Sequence, residues 1–148
     1  MTAVLRLKSF ALVAVLLSAV VAAGCDEETP PTTPVPDTTA SVTWSTNLAT
    51  GGASSRSFKT TRTGTVSITL QSLASSTTLR AGLGVGIPLG DGSGCVLSRS
   101  VETVAGSTAQ LELSVDPGDY CVQVYDLGEL TQPASFTVLL VYPIEGTT

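Results

Sequence analysis

The chain has 148 residues, with seven Lys and Arg, twelve Asp and Glu and no His, for a net charge of −5. The lack of His excludes Ser-His-Asp triads, His general bases and His-ligated metals. The acidic balance argues against a nucleic-acid partner, because such binding rests on neutralising phosphates with Lys and Arg.

Residues 1–24 read as an export signal. Arg6 and Lys8 supply a positive start, residues 10–21 are almost wholly apolar, and Ala22, Ala23 and Gly24 are the small residues a signal peptidase needs. The competing reading is a transmembrane helix. A helix over 10–23 would rise about 21 Å, short of a hydrocarbon core of about 30 Å. The segment Ala22-Ala23-Gly24-Cys25 resembles a bacterial lipobox, departing from the pattern at Ala22, where a large aliphatic residue is usual. The resemblance implies cleavage after Gly24 and lipidation of Cys25 with a diacylglyceryl group and often a further N-acyl chain such as palmitate. It therefore implies a membrane partner and a place in the bacterial cell envelope, periplasmic or surface-exposed. Ordinary cleavage nearby, leaving Cys25 as a thiol, is the alternative. The chain has three cysteines, Cys25, Cys95 and Cys121, and an odd count in an exported protein needs explaining. Lipidating Cys25 leaves Cys95 and Cys121 to form one disulfide in an oxidising compartment. The alternative is two free buried thiols.

Residues 25–39 form the second segment. After Cys25 the sequence is DEETPPTTPVPDTT, with four prolines and four acids. It cannot bury enough apolar surface to fold. Its proline content favours an extended spacer of about 3.1 Å per residue, reaching roughly 40 Å. A ligand for a proline-binding module and a glycosylated stalk are the other readings. Cleavage removes Arg6 and Lys8, leaving five basic against twelve acidic residues and a net charge of −7.

Residues 40–148 make the third segment, predicted to be one all-β domain. Apolar and polar residues alternate with period two in Val42 and Trp44, in Val66, Ile68 and Leu70, and from Leu79 to Ile87, where every second residue from Gly82 to Gly86 is Gly. The pattern returns in Leu111, Leu113 and Val115, in Tyr120, Val122 and Val124, and in Phe136, Val138, Leu140 and Tyr142. Leu139 and Val141 make the last strand apolar on both faces. These alternating residues and Phe58 are the predicted core. Gly51-Gly52 separates the first two strands, and 90–94 is a Gly-rich loop. Gly64 predicts a tight hairpin between 56–62 and 65–73. Asp116-Pro117-Gly118-Asp119 has the chemistry of a type II turn. About eight strands in roughly a hundred residues predict a single antiparallel β-sandwich, jelly-roll-like.

Several motifs carry a resemblance. They are Ser57-Phe58, Gly64-Thr65-Val66-Ser67-Ile68-Thr69-Leu70, Leu79-Arg80-Ala81-Gly82-Leu83-Gly84-Val85, Asp116 through Tyr125 (DPGDYCVQVY) and Phe136-Thr137-Val138. In this order they look like the bacterial pre-peptidase C-terminal domain. Some members of that family bind calcium or polymers such as collagen. Two departures stand out: Gly fills the polar positions of 79–87 where the family often has Asp, and Cys121 replaces an aromatic or polar residue. The missing acids weaken any transfer of calcium binding.

No pattern in the sequence asks for a catalytic residue, a metal or another cofactor. Asp116 and Asp119 flank a turn, where Asp is favoured for turn geometry alone. Asp91, Asp126 and Glu129 are the one conceivable oxygen set for calcium. Arg56, Lys59 and Arg62 share no single face and suit edge-strand protection. The leading functional expectation is a lipid-anchored, non-enzymatic module that binds an unknown protein or polysaccharide or serves a structural role. The alternative is a carbohydrate-binding module, which requires Trp44 and Tyr125 exposed on one rim or face. Otherwise Trp44 belongs to the core.

Overall fold

The computed structural model describes residues 38–74 and 76–146; the leader, Cys25 and the linker up to Asp37 lie outside them. Eight strands form: β1 (Thr39–Leu48), β2 (Ala53–Thr60), β3 (Gly64–Leu73), β4 (Arg80–Pro88), β5 (Cys95–Val104), β6 (Leu111–Val115), β7 (Gly118–Asp126) and β8 (Ala134–Pro143). They make two antiparallel sheets of four, in the orders β1-β8-β3-β6 and β2-β7-β4-β5. The domain is the expected β-sandwich, wound as a jelly roll.

The strand order has a simple origin. The chain turns back on itself between β4 and β5, and the pairs β4·β5, β3·β6, β2·β7 and β1·β8 are the rungs of one long hairpin. Rolling that hairpin up adds the pairs β3·β8 and β4·β7 and splits the rungs between two layers. Every connection except β4–β5 must then cross from one sheet to the other. Two sequence expectations fail for this reason. Gly64 does not close a hairpin, because β2 and β3 lie in different sheets. Nor is Asp116-Pro117-Gly118-Asp119 a type II turn, which needs a positive φ at its third residue. Gly118 lies outside the left-handed region and begins β7, while β6 belongs to the opposite sheet. The buried Thr60 hydroxyl organises this crossing: it donates to the Asp116 carbonyl at 2.8 Å and accepts from the Gly118 N–H at 3.1 Å.

The inner faces carry the core. Leu48, Val66, Ile68, Leu70, Leu73, Leu83, Val122, Val124, Phe136 and Val138 are fully buried. Trp44 meets Phe136 edge-on at 4.9 Å, while Phe58 stacks on Tyr120 at 5.8 Å and tilts against Tyr142 at 5.2 Å. Removing a buried aromatic of this kind costs about 3–5 kcal/mol, so Phe136→Ala would take away a large share of a typical domain's stability.

Two bulges explain what alternation hid. Leu70 pairs with Val138 but Ser72 pairs with Thr137, so Gln71 is an extra residue and Leu73 returns to the inner face. In β5, Val85 pairs with Arg99 but Gly86 with Leu97, so Ser98 is extra and Leu97 and Val101 point to opposite faces despite their even spacing. Ile87, spaced as a core residue, is instead 52% exposed, because beyond the bulge the β4–β5 hairpin leaves the packed interior.

The strands define two poles. At one, Thr39 pairs with Pro143, Gly64 with Val115, Thr60 with Gly118 and Gly86 with Cys121. Residues 38 and 146 both lie here, with Gly146 packed beside Thr38. At the other, Leu48 pairs with Ala134, Ala53 with Tyr125 and Ala81 with Asp126.

Candidate functional site

The outer face of the β2-β7-β4-β5 sheet is built around the glycines of β4. Gly82, Gly84 and Gly86 pair with Tyr125, Gln123 and Cys121 of β7 and are buried despite facing outward. What buries them is their neighbours. A Cβ at Gly82 would overlap the Tyr125 ring, and one at Gly84 would lie 2.8 Å from both methyl carbons of Leu97. Tyr125 and Leu97 thus cover the outer face of a strand that has no side chains at these three positions.

Gly86 carries the most demanding contact. A Cβ there would collide with the Val96 carbonyl oxygen, which is backbone and cannot rotate away. The cause is the disulfide between Cys95 and Cys121. Cys121 sits on β7 and Cys95 on β5, with β4 between them. Two strand spacings would hold their α-carbons about 9.5 Å apart, but the observed separation is 5.8 Å. The start of β5 therefore folds across the outer face of β4, and only Gly leaves room for it. Closing a loop with a sequence separation of 26 stabilises the fold by roughly 3–4 kcal/mol in chain-entropy models.

The opposite pole is held by one carboxylate. Asp126 Oδ2 accepts the Gly51 N–H at 2.7 Å. Its Oδ1 accepts the N–H groups of Gly128, Glu129 and Leu130 at 2.9, 3.1 and 3.2 Å. The Gly51 N–H, followed by those of Leu130, Gly128 and Glu129, holds the Asp126 carboxyl below its ordinary range. The β1–β2 and β7–β8 connections are joined through this side chain. Beside them, a groove of about 320 Å³ is lined by Ala74, Leu79, Glu129, Leu130 and Pro133 among others. Glu129 accepts the Arg80 N–H at 2.9 Å, and the exposed Arg80 side chain pairs with Glu102 at 2.7 Å.

Asp91 is elsewhere. Its carboxylate accepts the Ser93 hydroxyl at 2.6 Å and the Ser93 N–H at 2.9 Å, and these bonds hold its carboxyl low. It follows the end of β4 that is remote from Asp126 and Glu129, and the nine residues of β4 span roughly 30 Å at about 3.3 Å per residue. The conceivable calcium set is therefore not brought together. Trp44 and Tyr125 are not together either. Trp44 points from β1 into the interior, whereas Tyr125 lies on the outer face of the other sheet. Arg56 and Lys59 do fall on an edge strand, β2.

Sequence reasoning placed the disulfide but missed the glycine groove it needs. The signal was present: Gly at three alternate positions of an otherwise apolar strand marks close approach of another backbone or ring. The sequence offers Asp126 as an oxygen ligand for calcium, but Asp-x-Gly in a connection is also the pattern of a side chain capping its own backbone, and that is its role here. No protein-family model and no curated protein matches the chain.

Proposed function

We propose that this is a lipid-anchored cell-envelope protein, tethered through Cys25 and displaying a non-catalytic β-sandwich as a binding or structural module. The observation that carries the reading is the Cys95–Cys121 bond. It uses two of the three cysteines and leaves Cys25, directly after Ala22-Ala23-Gly24, as the one to be modified. The disulfide also suits an oxidising compartment, which an export signal would reach. A diacylglyceryl anchor gains about 0.8 kcal/mol per buried methylene, so two or three chains anchor the protein stably where one would hold it only marginally.

The display role is supported by how the domain uses its polar groups. Thr60 and Asp126 are committed to backbone hydrogen bonds that join loops. Asp116 accepts the Thr63 hydroxyl at 3.1 Å. The resemblance to the pre-peptidase C-terminal domain points the same way, toward an accessory module. Intact-mass measurement on the native membrane fraction tests the proposal. The expected species begins at Cys25, carries the mass of two or three acyl chains with their glycerol, and has no free thiol. Recovery of a soluble species with an unmodified first residue would sink it.

A further inference from the structure

We propose that the tip of the β4–β5 hairpin is a membrane-contact element that rests on the bilayer holding Cys25; this builds on the lipid-anchor reading above. Ile87, Leu89 and Val96 are 52%, 43% and 58% exposed, and they are three of the four large apolar side chains exposed among the described residues. Ile87 and Val96 are direct cross-strand partners, so the three form one apolar tip. The tip follows from the clamp: as β5 folds over Gly86 toward Cys121, the hairpin leaves the interior. A gap of about 180 Å³ lies beside Gly86, lined by Val85, Ser98, Leu113, Val115, Asp116 and Tyr120 among others.

The position of the tether argues for the bilayer as occupant. Thr38 emerges at the same pole as the hairpin tip. Twelve residues, 26–37, can span no more than about 43 Å even at full extension, so the anchored domain always works close to the lipid surface. A patch of three side chains is too small for a stable protein interface, which needs about 1,200 Å² or more. Tethering removes that requirement, because the second contact becomes intramolecular. Charge does not drive the contact. Residues 87–96 contain no Lys or Arg, and Asp91 is held charged at the apex by Ser93. Asp116, Asp119 and Glu145 share this pole with Lys59 and Arg62. The contact is apolar, shallow and opposed by anionic lipid.

The test uses the mature, acylated protein in phosphatidylcholine vesicles containing a brominated lipid. Leu89→Trp reports the tip, and Gln132→Trp, exposed at the opposite pole, is the control; Trp44 is a common background. The expected result is a blue shift and loss of most of the added emission for Leu89→Trp, no loss for Gln132→Trp, and weaker quenching when phosphatidylglycerol is added. Quenching of neither reporter, of both, of Gln132→Trp alone, or more strongly with phosphatidylglycerol would overturn the docking. Mass and vesicle flotation separate the two readings. An unacylated protein sinks both, whereas an acylated, floating protein with an unquenched tip sinks the docking alone.

Discussion

The two poles of this sandwich solve the same problem with different chemistry. At each, strands from different parts of the chain must be held where regular pairing runs out. The pole at Gly51 and Asp126 uses one carboxylate that accepts four backbone N–H groups. The pole at Gly86 uses a covalent bond passed over the glycine face of β4. The first depends on protonation, the second on oxidation. The contrast teaches that the glycines of β4 are not loose points in the sheet. They are the space that the disulfide, Leu97 and Tyr125 occupy.

The covalent pole is most vulnerable at Gly86. Gly86→Ala sets a methyl group against the Val96 carbonyl, and that backbone cannot yield without losing the β4–β5 register or the disulfide. Overpacking costs about 1–3 kcal/mol and loss of the bridge about 3 kcal/mol, so a loss of 3 kcal/mol or more is expected in denaturant unfolding. Thiol titration should find Cys95 and Cys121 free in part of the population. A wild-type midpoint with no reactive thiol would refute the clamp.

Reducing the Cys95–Cys121 bond in the otherwise native chain is the next largest effect, about 3 kcal/mol of lost stability. It should also act locally. Hydrogen exchange should quicken in β5 near Val96 and leave the Gly51 amide as it was. Equal loosening at both poles would mean that they are not independent. A smaller effect is expected from Gly82→Ala, which displaces the Tyr125 ring rather than a backbone. About 1–3 kcal/mol is the range for such overpacking, read with a change in tyrosine fluorescence.

The smallest effect belongs to the carboxylate. Asp126 is depressed in the folded protein, so its contribution is present above the unfolded pKa and is lost as pH falls through the folded one. The amides of Gly51, Gly128 and Leu130 should therefore gain exchange protection that disappears only in acid below the usual carboxylate range. Asp126→Asn should remove that pH dependence while barely moving the unfolding midpoint. NMR-detected exchange across an acid titration checks both.

Much of this was legible in the sequence. The alternation of Val66-Ile68-Leu70, Leu111-Leu113-Val115 and Phe136-Val138-Leu140 marked strands and their buried faces, because successive side chains in a strand point to opposite sides whatever the strand pairs with. The pairing of Cys95 with Cys121 was expected once the lipobox resemblance set Cys25 aside, and the structure shows that bond. Leu73, Leu97 and Val101 were obscured by the bulges at Gln71 and Ser98, each of which shifts the period by one residue. Of the candidate site, the disulfide was readable and the alternate glycines of β4 marked a close approach, but nothing local to Gly86 says which chain will cross it.

Local periodicity alone thus gave about eight strands with these inner faces, and the placing of Cys95 and Cys121 in the β domain offered them as a pair, which the structure shows bonded. Tertiary structure decided which strands became neighbours. The segments at Gly64 and Asp116 read as tight turns, yet both carry the chain between layers, because hydrogen-bond partners in a sheet are chosen by the packing of distant segments and not by the residues that join them. It decided the same way that Ile87, spaced as a core residue, ends at an exposed tip.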